Sequence, residues 1–105
     1  MSANNELHGT KLTDLLISLL KSIKAQNINL LDVSKATSLT DYMLICEGTS
    51  VQHIKAIAKN VKFSAKEQGI LSVGSIDSDS DWVLLDFADV IVHIMIPGAR
   101  LYYDI

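Results

Sequence analysis

From Thr10 onward, leucines and isoleucines fall at positions 12, 15, 16, 19, 20 and 23. That spacing gathers an apolar stripe on one side of a helix and predicts α-helix over roughly residues 10–26. A second helical pattern follows Gly48. Val51, Ile54, Ala58, Val61 and Ala65 repeat at alternating threes and fours, and Lys55, Lys59, Lys62 and Lys66 repeat the same way on another side. Thr49 with Gln52 three residues on reads as a capping box, Gly48 as the bend leading into it, and Gly69 as the C-terminal stop.

Strand patterns fill the remainder. Residues 29–34, NLLDVS, form a short apolar run, and residues 41–47, DYMLICE, carry apolar side chains without alternation, as a strand covered on both faces does. ILSVGSI, residues 70–76, predicts a third strand. The segment DWVLLDFADVIVHIMIPGARLYYDI, residues 81–105, then holds two alternating runs that almost touch. With Ala88 and Asp89 as a tight turn, position 87 faces 90, 85 faces 92 and 83 faces 94. Phe87, Val90, Leu85, Val92, Val83 and Ile94 make one wholly apolar face, expected to lie under the helices. The other face gathers Trp82, Leu84 and Asp86 against Met95, His93 and Ile91, and two helices hardly suffice to cover both sides of the sheet. A register slip of one residue would change partners across the hairpin and leave the two sets intact.

That half-polar face is the strongest functional pointer, because large apolar groups rimmed by carboxylate and imidazole resemble the centre and margin of a protein-binding patch. Trp82, Leu84, Ile91 and Met95 are expected to supply apolar anchoring, Asp86 and Asp89 the charge complement, and His93 with Arg100 hydrogen bonds at the edge. The competing occupants of the face are the chain's own C-terminal segment PGARLYYDI and a second copy of the chain, a homodimer.

Length and charge narrow the classes. A chain of 105 residues that is 49% hydrophobic fits one domain with one core, and only residues 1–9 read as a loose N-terminus. The net charge of −3 and pI near 5.4 argue for a basic partner and against direct nucleic-acid binding. Cys46 is the single cysteine and suits a reducing compartment as a small buried hydrophobe. No stretch has the length and hydropathy of a membrane span, and MSANNELHGTKL lacks a secretory or transit pattern, so a cytoplasmic location is expected.

Chemistry is sparse. Asp77, Asp79 and Asp81 match the first ligand positions of a calcium loop, but Trp82 and Ala88 stand where its glycine and bidentate glutamate belong, so no metal is expected. His93 has Asp86 and Asp89 near it in sequence but no nucleophile in the hairpin, which points to no catalytic residue and no cofactor. The Gly48-Thr49-Ser50 turn could cradle an anion at a helix start, although every helix must satisfy those donors in any case. No phosphate-loop or dinucleotide fingerprint is present. The lysine stripe of the second helix reads as a solvated face, one that could help contact nucleic acid only if the domain were already docked beside some.

The segments TDYMLICEGTSVQHIKAIAKNV and DWVLLDFADVIVHIMIPGARLYYDI closely resemble the ribosomal silencing factor family, RsfS, also called Iojap-like. The likeness spans residues 10–105: the D-Y-x-x-I strand leading to G-T-S and a histidine, the W-V-L-L-D-x-x-D-V-x-V-H run, then Arg100 and paired tyrosines before Asp104. The resemblance implies a single α/β domain with a mixed sheet of about five strands and helices mainly on one face, like that of nucleotidyltransferases but without their catalytic carboxylates. Those enzymes hold metal with acids two apart on a strand after the G-S helix, and the strands after that helix here offer Asp86 alone. It also implies binding to the large ribosomal subunit through ribosomal protein number fourteen, on the face that meets the small subunit. Subunit joining is then blocked sterically and translation falls when nutrients are short, with no enzymatic step. The alternative is a nucleotide-binding enzyme using Gly48-Thr49-Ser50. The family often has glycine at position 88, and its members tend to continue past the last aspartate with an acidic tail.

Overall fold

The computed structural model describes residues 10–72 and 81–99. Helix α1 is Lys11–Ser22 and strand β1 Gln26–Asp32; β2 is Tyr42–Glu47, α2 Val51–Glu67, β3 Trp82–Asp86 and β4 Val90–Met95. The strands form one mixed sheet in the order β1-β2-β4-β3, with β2 and β4 parallel and the outer pairs antiparallel. The family expectation of a mixed sheet with helices on one face holds, with four strands among the described residues rather than about five. Of the strand expected at 70–76, residues 70–72 have no strand pairing and 73–76 lie outside the described residues, as does the N-terminal stretch 1–9.

Both helices lie on one side of the sheet, α1 over β1 and β2 and α2 over β3 and β4. Leu16 and Leu20 of α1 and Ile54, Ile57, Ala58, Val61 and Ala65 of α2 close onto Leu44, Cys46, Val83, Leu85, Val90, Val92 and Ile94 in one core. The hairpin register is the expected one, Val83 opposite Ile94 and Leu85 opposite Val92, and Phe87 N–H donates to the Val90 carbonyl at 2.9 Å. Every member of the apolar set, Phe87 included, is buried. Fully burying such side chains is worth roughly 1.5–3 kcal/mol each, so this alternation is what holds the hairpin to the helices.

Local chemistry moves the predicted boundaries. α1 stops at Ser22 rather than near 26, because Lys24 takes the left-handed position (φ 65°) that glycine usually fills. Ala25 N–H then donates to the Leu20 carbonyl and Lys24 N–H to that of Lys21, satisfying both orphan acceptors. α2 ends in the same way with Gly69 at φ 81°, as its sequence indicates. β1 starts earlier than position 29 because of a bulge between Gln26 and Asn29, where Asn27 (φ 50°) supplies the left-handed residue. It ends at Asp32, whose Oδ1 accepts from the hydroxyl and backbone N–H of Ser34 at 2.6 and 3.0 Å; these two bonds, the hydroxyl one first, hold the Asp32 carboxyl below its usual pKa.

At the hairpin tip Ala88 has positive φ (72°), a conformation that favours glycine, and Asp89 N–H closes a three-residue turn on the Phe87 carbonyl at 2.9 Å. Asp86 Oδ1 accepts the Ala88 N–H at 2.7 Å and steadies the strained residue. Because a Cβ in the left-handed region costs about 1 kcal/mol, Ala88→Gly is expected to raise the unfolding free energy by about that amount. The check is a urea titration, in which the midpoint rises and the slope stays unchanged.

Candidate functional site: the open face of the sheet

Alternation sends the other half of each strand away from the helices, and the β2–β4 pairing lines these side chains up across the whole sheet. One row runs Leu31, Met43, Ile91, Asp86; the next runs Asn29, Ile45, His93, Leu84; the third joins Gln26, Glu47, Met95 and Trp82. Leu31 and Leu84 are 44% and 40% exposed, and Met43, Ile91, Trp82 and Asp86 are half-buried. The uncovered strip therefore crosses all four strands. Leu31, Met43 and Ile45 were not among the residues singled out from sequence. The unbroken apolar character of DYMLICE signalled that β2 is central, but nothing in it named the strand beside it.

The remaining expected residues divide. Met95, expected as an exposed anchor, is fully buried, and His93, expected at an edge, is only 8% exposed. The cause is the stretch after β4: Ile96 N–H donates to the Asp81 carbonyl at 3.1 Å, and a helical turn beginning at Pro97 brings Ala99 over Met95 and Ile45. Trp82 and Ile96 pack on the same small cluster. One end of the face is thus sealed by the chain's own C-terminal segment, one of the competing occupants, while the end bearing Leu31, Met43, Ile91 and Leu84 stays open. Asp89 is exposed at the tip, and its carbonyl accepts the N–H groups of Asp41 and Tyr42, both at 3.1 Å, tying the hairpin to the start of β2. Arg100, Asp77 and Asp79 lie outside the described residues.

His93 is a positioned acceptor. Trp82 Nε1–H donates to its Nδ1 at 3.0 Å, with ring centroids 5.7 Å apart, so the proton of the neutral ring sits on Nε2. Burial pushes the His93 pKa below its ordinary 6.5, and a proton on Nδ1 would set two N–H groups against each other. The bond fixes the indole at the border between the sealed and open ends of the face.

The second sequence candidate, the Gly48-Thr49-Ser50 turn, is spent on the fold. The N-cap of α2 is Ser50, not Thr49: its Oγ accepts the His53 N–H at 3.0 Å. Thr49 N–H donates to His53 Nδ1 at 2.9 Å, and His53 Nε2 lies 3.3 Å from the Ile23 carbonyl, linking the start of α2 to the end of α1. Gly48 N–H donates to the Met95 carbonyl, and a Cβ on Gly48 would come within 2.6 Å of Ile54 Cγ2. The glycine is there for close packing and not for a bend in φ. The capping box of the chain belongs instead to α1, where Thr10 and Thr13 exchange side chain to backbone bonds. Among the described residues no three His, Cys, Asp or Glu side chains come together as a metal cluster, and no helix is long and apolar enough to cross a membrane.

An α/β sheet that seals one face with its helices and presents half of the other, with the Gly48, Thr49 and His53 N–H groups before and at the start of α2 bonded internally, has the build of a binding module. A family model described as "Ribosomal silencing factor during starvation" (RsfS) matches residues 6–105. A "Ribosomal silencing factor RsfS" from Chromobacterium violaceum is 44% identical over 96 residues, 90% of this chain and 79% of that protein. A crystal structure of a protein from the same organism superposes with a TM-score of 0.85 at 43% identity, covering 90% of this chain and 79% of that one. A mouse protein named "Mitochondrial assembly of ribosomal large subunit protein 1" is 30% identical over 99 residues, 88% of this chain and 42% of its own. The chain belongs to the ribosomal silencing factor (RsfS) family. The role of that family is regulatory rather than catalytic.

Because the unfolded chain binds a proton at His93 more readily than the folded one, the contribution of neutral His93 to stability is fully present above pH 6.5 and is lost as pH falls below it. The slope from this one group is at most about 1.4 kcal/mol per pH unit. Thermal unfolding followed from neutral to mildly acidic pH is expected to show this loss in the wild type and a smaller one in His93→Gln, which stays neutral throughout.

Proposed function

We propose that the open face docks on the large ribosomal subunit through ribosomal protein number fourteen, on the side that meets the small subunit. The bound domain stands in the way of the small subunit, and translation falls under nutrient limitation. The site of action is the cytoplasm, and no catalytic step takes part. Family membership supports a ribosome-associated silencing role, and the name of the mouse relative supports the large subunit as the target.

The observation that carries the reading is the uncovered strip Leu31, Met43, Ile91 and Leu84, with Asp86 in the same row and Asp41 and Asp89 exposed at that end of the sheet. An apolar centre supplies affinity once water is excluded, and an acidic margin steers the face to a basic ribosomal protein and rejects wrong ones. Steric exclusion asks for nothing more than tight, correctly placed binding. The enzyme alternative is weakened by the α2 start, where Gly48, Thr49 and His53 already spend their backbone N–H groups on Met95, His53 and Ser50.

Co-sedimentation with isolated large subunits, followed by addition of small subunits, tests the reading. The wild type is expected to pellet with large subunits and to lower the fraction that joins. Leu84→Arg and Ile91→Arg, both on the open face, are expected to weaken pelleting about tenfold or more, as loss of central interface side chains does. Asp86→Lys is a poorer probe, since Asp86 also holds the hairpin turn. If both arginine variants pelleted as the wild type does, the open face would not be the docking surface. Light scattering separates the remaining occupant, a second copy of the chain, which would compete for the same strip.

A further inference from the structure

The net charge of −3 averages two unlike halves. α1 with its terminal turn (residues 11–24) and α2 together hold seven lysines against two carboxylates, Asp14 and Glu67, a surplus of five positive charges. The rest of the chain, with Lys35 and Arg100 against ten carboxylates, therefore carries −8. Since both helices lie on one side of the sheet, the surplus of positive charge belongs to the layer opposite the open face.

On α2 the lysines are ordered around one side chain. The buried stripe is Ile54, Ile57, Ala58, Val61 and Ala65. At about 100° per residue, Phe63 points roughly 180° away from that stripe, at the crest of the helix. It is 62% exposed. Lys59 and Lys66, four before and three after it, are its helical neighbours and are themselves exposed, and Lys55 and Lys62 continue the same line lower on that flank. A lone exposed phenylalanine needs no explanation, and a lysine stripe by itself is a solvated face. An aromatic ring at the crest of a basic line, on the one layer where positive charge outnumbers negative, offers what unpaired RNA takes up: cations spaced along a phosphate backbone and a flat apolar surface for one base.

We propose that this crest of α2, centred on Phe63 with Lys59 and Lys66, binds single-stranded RNA. The surface is separate from the strip on the sheet, so a molecule docked by its open face would still present the crest outward, and the inference stands whichever protein occupies the sheet.

The test uses the full chain and a fluorescein-labelled, mixed-sequence single-stranded RNA of about 20 nucleotides, followed by anisotropy at about 50 mM salt and above. Saturable binding is expected, weakening with salt. Lys59→Glu with Lys66→Glu is expected to lose tenfold or more and to flatten the salt dependence by about 0.7 log unit per log unit of salt for each phosphate contact removed. Phe63→Ala is expected to lose about tenfold with the salt dependence unchanged, the mark of lost stacking. Leu84→Gln, on the other face, is expected to bind RNA as the wild type does. All four substituted side chains are exposed, and circular dichroism confirms that the variants fold. Absence of saturable binding by the wild type, or wild-type affinity in the Phe63 and lysine variants, would overturn the proposal. So would equal affinity for heparin with no effect of Phe63→Ala, which would mark a general response to polyanions.

Discussion

The parallel pairing of β2 with β4 is the contact on which the rest of the molecule depends. It places the central strand beside the second strand of the hairpin, and so joins a local hairpin to a sheet whose other edge lies far back in sequence. The register Met43 to Ile91 and Ile45 to His93 decides which side chains meet on the open face, and the same register sets Leu44 and Cys46 beside Val92 and Ile94 under the helices. A one-residue shift there would exchange the sealed and open sides of β2 alone and break the core. The interior thus enforces the geometry of the outer surface.

Much of this was legible because period-two alternation survives ignorance of boundaries. The hairpin faces, its register and its two-residue turn all follow from residues 82–95 read by themselves, and the central place of β2 follows from its lack of alternation. What stayed hidden depends on contacts distant in sequence or on residues acting out of type. Lys24 ends α1 where a glycine would have announced the stop, Asn27 makes a bulge that hides the start of β1, and Ser50 takes the cap one residue later than the Thr49 pattern suggests. Met95 shows the limit for the site: its alternation assigns it correctly to the outer face, but only the fold reveals that Ala99 returns to cover it.

The outer face consequently has two characters. Near Trp82 it is a small second core, fixed by the indole to imidazole bond and the turn after β4; toward Leu31 and Ile91 it is bare. The sealed end gives the bare end a rigid border, so docking there loses little side-chain freedom, which is one way a modest apolar area achieves useful affinity. Asp86 serves both sides of this arrangement, as a carboxylate at the margin and as the acceptor that steadies Ala88. The family assignment and this geometry point the same way, toward recognition rather than chemistry.

Among the described residues β1 is an outer strand of the sheet, and its backbone departs from regular pleating where Asn27 is left-handed. An edge kinked in that way is a poor template for another copy to extend strand by strand, because the next ladder would lose its register at the kink. A protein with a bare apolar surface on its sheet carries a standing risk of polymerising into ribbons. The irregularity in β1 lowers that risk at one rim of the sheet, leaving face-on contact as the favoured way for this molecule to meet another.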